Sequence, residues 1–261
     1  MADYKLILGK CEEQIPGIEQ KISGVISSPP YNTSRADQQN RYDEFEDDFT
    51  QEEYINWTKD IFNKVEKILE PNGVIIWNIS YGIEYPEKAQ TPWLVVADII
   101  RDTDFTVAEH LVWKKSTAMP LGGSPNHLTR IVEDVFVFCR KSEFQTFNCN
   151  KGLKKVSRTG QQYFESIENF IEAPNNDGGE HCKVHKATYS TEFAEKLLGI
   201  YFKEQDTVLD PFNGTGTTGV ACLKNNVNYI GIELSKQYYD ISDKRIQEVK
   251  KLKDNAIDDW D

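Results

Sequence analysis

Long apolar runs are missing from this 261-residue chain. None reaches the roughly 18 residues that a membrane-crossing helix needs, and the start Met1-Ala2-Asp3-Tyr4-Lys5 lacks a secretion-signal pattern. Cysteine is sparse: Cys11, Cys139, Cys149, Cys182 and Cys222 are scattered and odd in number. That excludes a disulfide framework and reads as the reduced thiols of a cytoplasmic protein. Paired Cys-x-x-Cys is absent too, so His181-Cys182-Lys183-Val184-His185 stands alone and no metal is expected. Basic charge is scarce, with a net charge of −12, which argues against a protein that coats nucleic acid indiscriminately. There is no internal repeat and no low-complexity tract.

What is present alternates. Short apolar runs and longer amphipathic ones imply an α/β domain built on a doubly wound, mostly parallel sheet. Strands are expected at Val25–Ser27, Val74–Ile79, Val107–Trp113, Val135–Cys139, Thr207–Leu209 and Asn228–Glu233. Helices are expected at Gln51–Leu69, Pro92–Arg101, Thr191–Leu198, Thr217–Leu223 and Lys236–Lys251, with Pro71-Asn72-Gly73 as the stop after the first. Two stretches break the rhythm. Asn32–Phe49 is polar and charged and reads equally as a lid or a solvated connector. Residues 144–183 carry Lys151, Lys154, Lys155 and Arg158 with no acid between Lys151 and Tyr163. We read 144–183 as a substrate-reading insertion in a domain formed by 1–143 and 184–261, with Lys154, Lys155 and Arg158 as phosphate contacts.

Two strand ends carry the chemistry. Asp210-Pro211-Phe212-Asn213-Gly214-Thr215-Gly216-Thr217-Thr218 follows Thr207–Leu209. Strand, acid, glycine-rich turn and helix let a ligand approach main chain at the positive end of a helix. Gly214 and Gly216 remove side chains there, Thr217 and Thr218 can cap the helix, and Phe212 offers an apolar wall. Glu233 ends the next strand, placed to accept from ribose hydroxyls. A dinucleotide loop would put its first glycine where Asp210 stands. A carboxylate repels a pyrophosphate and attracts an ammonium, which favours S-adenosylmethionine over NAD.

Ser28-Pro29-Pro30-Tyr31 follows the apolar run Gly24-Val25-Ile26-Ser27. Exocyclic amines of cytosine and adenine are poor nucleophiles because the lone pair is delocalised into the ring. Acceptors that hold the amine hydrogens draw that lone pair out of plane. The Ser28 hydroxyl and the Pro29 carbonyl can serve, with two prolines fixing the carbonyl direction. Tyr31 can stack on a flipped base. A Pro-Pro turn with incidental neighbours is the plain alternative for this tetrapeptide by itself.

Taken together, these motifs resemble the amino-group DNA methyltransferases of the β arrangement, in which the catalytic motif precedes the recognition region and the cofactor motif comes last. The resemblance runs from Asp3 to about Ile246. Within it, Ser28, Pro29, Pro30 and Tyr31 match the catalytic motif. Asp210, Phe212, Asn213, Gly214, Thr215, Gly216 and Thr217 match the cofactor motif, and Glu233 the ribose-binding acid. His185-Lys186-Ala187-Thr188-Tyr189-Ser190 resembles the family's His-Pro-Ala-x-Phe-Pro element, with both prolines replaced.

The resemblance implies a Rossmann-like methyltransferase fold, S-adenosylmethionine as cofactor, double-stranded DNA as substrate and base flipping. Serine at the first motif position implies N4 of cytosine, with N6 of adenine as the alternative. Carbon-5 methylation is disfavoured because no cysteine follows a proline. A restriction endonuclease partner and a homodimer are compatible with it, and so is RNA as substrate. Two rivals stay open: a nucleotide-dependent oxidoreductase on the same sheet, and a catalytically silent binding subunit. Trp113-Lys114-Lys115 reads equally as a phosphate contact or as a buried Trp with solvated lysines. His110 and His127 have no partner legible in the sequence.

Overall fold

The computed structural model describes residues 2–32, 45, 48–81, 88–117, 128–185 and 188–258. Among them, eight strands form one sheet: β1 (Tyr4–Leu8), β2 (Ile22–Ser27), β3 (Leu69–Ile79), β4 (Phe105–Lys115), β5 (Val132–Arg140), β8 (Phe170–Ala173), β9 (Thr207–Asp210) and β10 (Asn228–Glu233). Their order is β1-β10-β9-β2-β3-β5-β4-β8. Every pairing is parallel except the two made by β5, which runs against both β3 and β4. The remaining two strands, β6 (Leu153–Val156) and β7 (Gln162–Phe164), make a separate antiparallel ribbon.

Alternation along the central strands sends neighbouring residues to opposite faces. Val25, Ile75, Trp77, Leu209 and Ile230 pack with α2 (Gln51–Glu66) and α3 (Thr91–Asp102). Ile26, Val74, Ile76, Val208 and Tyr229 pack with α5 (Thr191–Tyr201), α6 (Thr217–Lys224) and α7 (Lys236–Asp258). Helices therefore cover both faces, as expected of a doubly wound sheet. Full burial of a side chain such as Phe62 or Ile26 contributes about 1.5–3 kcal/mol, so these two layers supply most of the fold's stability. Two short helices, α1 (Cys11–Gln14) and α4 (Glu180–Val184), fill connections.

Of the boundaries that differ from the sequence expectation, two lie between α2 and β3. Helix α2 stops at Glu66, and Pro71-Asn72-Gly73 sits inside β3 rather than ahead of it. Pairing jumps from Ile22↔Leu69 to Gly24↔Val74, so the segment bulges, and Asn72 takes the left-handed φ of 58° that such a bulge needs. The start of α2 is set by a reciprocal cap in which Thr50 Oγ1 accepts from Glu53 N at 3.2 Å and Glu53 Oε2 accepts from Thr50 N at 2.9 Å.

Most of Asn32–Phe49 lies outside the described residues. Its described members are not merely solvated. Asn32 is fully buried, and its Oδ1 accepts from Lys88 Nζ at 2.9 Å. Phe45 and Phe49 each pack on Trp57 with ring centroids 5.6 Å apart. No helix among the described residues is long and apolar enough to cross a membrane.

Candidate active site

Chain order reverses between β9 and β2. From β9 the chain crosses by α6 to β10, and from β2 it crosses by α2 to β3 on the other side. Ligands of open α/β sheets bind beyond the strand ends at such a reversal. A cavity of about 850 Å³ opens there, lined by Ser28, Pro29, Pro30 and Tyr31 from the loop after β2 and by Asp210, Phe212, Asn213, Gly214, Thr215 and Thr217 from the loop after β9. Glu233, at the end of β10, joins the same wall. The two motifs, some 180 residues apart in sequence, therefore face one space.

Buried hydrogen bonds hold the two loops together. The Asp210 carboxylate, 2% exposed, accepts from Ser27 Oγ at 2.6 Å, Thr218 Oγ1 at 2.5 Å, Phe212 N at 3.0 Å and Tyr189 Oη at 3.5 Å. Burial pushes its pKa up and these donors pull it down. Both oxygens are thus engaged inside the protein. Asp210 sets the shape of the cofactor loop and links it to β2, where the sequence suggested a direct partner for an ammonium. Thr218 correspondingly does not cap α6. Its hydroxyl donates to Asp210, and the cap position is Gly216, at a φ of 83°. A Cβ on Gly216 would stand 2.4 Å from Ser242 Oγ, so this glycine answers to α7 and is absent from the cavity lining. Gly214 does line the cavity, and a Cβ there would come 3.3 Å from His185 Nε2.

Glu233 is nearly buried, and its oxygens accept from Gly214 N at 2.6 Å and Ser235 N at 2.9 Å. A carboxylate has about four lone-pair sites, so two backbone donors leave capacity for a diol. Burial pushes its pKa up to about 7. Diol donors favour the ionised form, so binding lowers that pKa and expels a proton. S-adenosylmethionine affinity is therefore expected to strengthen as pH rises through about 7, by roughly tenfold from pH 6 to pH 8. Calorimetric titrations across that range check it, and Glu233→Gln is expected to remove this component of the pH dependence.

The proline loop is anchored by Tyr54, whose hydroxyl donates to the Pro30 carbonyl at 2.6 Å. Tyr31 Oη lies 2.7 Å from Ser28 Oγ, 2.9 Å from Asn78 Oδ1 and 3.0 Å from Glu133 Oε2. Asn78, Lys115 and Glu133 also line the cavity. They come from the ends of β3, β4 and β5; of the three, only Lys115 stood in a run that the sequence singled out. An aromatic wall completes the space: Phe212 packs on Trp57 and Trp77 with ring centroids 5.3 and 5.9 Å apart. Of the Trp113-Lys114-Lys115 run, Trp113 is buried, Lys114 pairs with Glu172, and Lys115 pairs with Glu133 in the cavity.

His185 lines the cavity with its ring 4.5 Å from that of Tyr238. Where the family element has its second proline, the Ser190 hydroxyl caps α5 by accepting from Phe193 N at 3.2 Å. His110, without a legible partner in the sequence, meets Asp134 at 2.8 Å and stacks on Phe136. His127 and Lys186 lie outside the described residues. Lys154, Lys155 and Arg158 sit on and beside the β6–β7 ribbon, exposed and away from the cavity, with Lys155 Nζ 4.9 Å from the Tyr163 ring centroid. Among the described residues no cluster of three His, Cys, Asp or Glu is arranged to hold a metal.

The residues present suit S-adenosylmethionine: bare backbone at Gly214, a nearly buried acid at Glu233 and aromatic surfaces at Phe212 and Tyr238. Comparison with known proteins points the same way. The chain is 26% identical to the type II methyltransferase M.HinfI of Haemophilus influenzae over 266 residues, covering 94% of this chain and 68% of that protein. Against the type II methyltransferase M.HpaI of Haemophilus parainfluenzae it is 23% identical over 256 residues, covering 94% and 74%. Its fold superimposes on the PvuII DNA methyltransferase (cytosine-N4-specific) with a TM-score of 0.72 at 20% identity, over 96% of this chain and 91% of that one. The M1.HpyAVI–SAM complex superimposes with a TM-score of 0.63 at 21% identity, over 93% and 98%. The sequence profile described as DNA methylase (N6_N4_Mtase) matches residues 22–244. By that match the chain belongs to the DNA methylase family, S-adenosylmethionine-dependent enzymes that modify amino groups of DNA bases.

Proposed function

We propose that this DNA methyltransferase modifies the exocyclic amine of a base flipped out of double-stranded DNA, with N4 of cytosine preferred over N6 of adenine. The observation that carries the reading is the shared cavity: Ser28 and Tyr31 face the same space as Gly214 and Glu233. The bound cofactor supplies an electrophilic methyl group. Asp210, Phe212, Asn213, Gly214, Thr215 and Thr217 shape its pocket, Glu233 accepts from its ribose, and Gly216 holds the loop against α7. Ser28 Oγ and the Pro29 carbonyl accept the amine hydrogens, and Pro30 fixes the loop through Tyr54. Tyr31 packs against the base. No covalent nucleophile is needed, because positioning and electrostatics answer the modest charge that develops.

Residues 144–183 read the DNA through the exposed β6–β7 ribbon and not through β8, which belongs to the main sheet, with phosphates met by Lys154, Lys155 and Arg158. Replacing all three by alanine is expected to weaken DNA binding and to flatten the plot of log Kd against log salt by about 2 to 3. Fluorescence anisotropy at several salt concentrations measures that slope, and an unchanged slope removes these residues from the interface. The enzyme works in the cytoplasm, consistent with its free thiols, and pairing with a restriction endonuclease agrees with relatives named as type II methyltransferases. Homodimer formation is part of the same reading.

Digestion of treated DNA to nucleosides with mass detection tests the whole reading. N4-methylcytosine is the expected product. N6-methyladenine would overturn the base preference, and binding of DNA and cofactor without any product would favour the silent-subunit alternative.

A further inference from the structure

Glu133 enters the cavity from the start of β5, 10% exposed at its side chain, and Lys115 from the end of β4 pairs with its Oε1. Its second oxygen, Oε2, is 3.0 Å from Tyr31 Oη. Tyr31 Oη in turn lies 2.7 Å from Ser28 Oγ. The direction of these bonds follows from counting protons. A phenol has one hydrogen to give, and two acceptors flank it: Glu133 Oε2 and Asn78 Oδ1. The Asn78 amide is oriented with its oxygen towards Tyr31 because Nδ2 donates to the Asp134 carbonyl at 3.1 Å. With the Tyr31 proton given to either acceptor, the contact between Ser28 and Tyr31 is closed by the serine proton. Ser28 then presents lone pairs alone to the cavity.

We propose that Glu133, paired with Lys115, is a positioning residue at the end of a chain Ser28→Tyr31→Glu133 that makes Ser28 an obligate acceptor and gives the amine proton its way out. This rests on the reading that the substrate is an exocyclic amine. An amine that has gained a substituent must shed one hydrogen as a proton. That proton passes from nitrogen to Ser28 Oγ as the serine proton passes to Tyr31 Oη and the tyrosine proton to Glu133 Oε2. The nitrogen keeps its electron pair, Ser28 and Tyr31 end as they began, and the carboxylate gains one hydrogen. The polarity also bears on selection. A hydroxyl whose hydrogen is already given away cannot donate to a carbonyl oxygen, so the site favours an amine-bearing base edge over a keto-bearing one.

Tyr31→Phe keeps the ring and removes the relay oxygen, and Glu133→Gln keeps the shape and removes the proton acceptor. Each is expected to lower the rate of tritium transfer from labelled S-adenosylmethionine to amplified, unmethylated genomic DNA by about 10- to 100-fold. The Kd values for cofactor and for that DNA, measured separately, should stay within about twofold. The double variant should be no slower than the slower single one, because a chain broken once is already broken. Wild-type rates in either single variant, multiplying losses in the double variant, or losses that track the Kd values would each overturn the inference. If the wild-type protein puts no methyl group on any base of that DNA, the amine-substrate reading itself fails. Product with full rates in the variants leaves that reading standing and removes the relay alone.

Discussion

Asp210→Ala is expected to lower the stability of the protein by on the order of 3 kcal/mol and to weaken S-adenosylmethionine binding at least about 100-fold. Removal of the carboxylate leaves the buried Ser27 Oγ and Thr218 Oγ1 and the half-buried Phe212 amide without this acceptor. A buried donor deprived of its partner costs about 1–3 kcal/mol. Part of that is returned, because the variant no longer buries a carboxyl whose pKa desolvation has driven upward. At this chain length the net loss corresponds to a fall in Tm of roughly 6–12 °C. The loop from Phe212 to Gly214 is tied to β2 through this one side chain, so the cofactor loses its preformed wall along with the stability. Scanning calorimetry and isothermal titration measure both effects. A variant that melts within 2 °C of wild type (about the scatter of one weak bond) and binds the cofactor normally would show that Asp210 does not organise the loop.

Ser28→Ala is expected to cut methyl transfer by on the order of 10²–10³-fold while leaving cofactor affinity unchanged, a loss comparable with removal of one preorganised polar contact to a transition state. Ser28 lies in the proline loop, whereas the groups that shape the cofactor pocket lie beyond β9 and β10. Its hydroxyl lies 2.7 Å from Tyr31 Oη, whereas the serine that donates to Asp210 is Ser27. Steady-state kinetics separate the two readouts, and full turnover by the alanine variant would defeat the assignment of Ser28 to the amine. Its proline neighbours, fixed by the Tyr54 hydroxyl, keep the loop in place without it.

The sheet was legible where burial on both faces writes continuous apolar runs. β9 and β10 were found at nearly their observed lengths, β2 was found in its second half, and the expected helices lie where the chain forms them. β1 escaped because it is an edge strand with mixed exposure, Tyr-Lys-Leu-Ile-Leu, and only pairing with β10 defines it. β6 and β7 escaped because their residues are exposed throughout, so no periodicity marks them. At the site, the two loops that carry glycine, proline and acid were readable because their backbone demands are local. Glu133 and Asn78 were not, and Lys115 was noticed only as a candidate phosphate contact, without its partner. They meet Tyr31 only through the pairing of β3, β5 and β4, and a lone Glu or Lys at a strand end carries no signature of its own. Gly216 was read as ligand-facing because a glycine records that a side chain is forbidden without saying what forbids it. Here the obstacle is Ser242.

The reversed direction of β5 has a further effect. Parallel strands must be joined by a crossover that carries the chain from one edge of the sheet to the other, and each such crossover is committed to a helix that packs on a face. The join from Lys115 to Val132 instead leaves and re-enters at the same rim, the one that overlooks the cavity. Backbone bonds reach into its two ends, where Lys115 N donates to the Ile131 carbonyl at 2.8 Å and Ser116 N to the Ala173 carbonyl at 3.0 Å, so the ladder fixes where it leaves and returns. The Lys115–Glu133 pair therefore sits where the chain turns back, and two strands that are neighbours in the sheet deliver both partners to one rim.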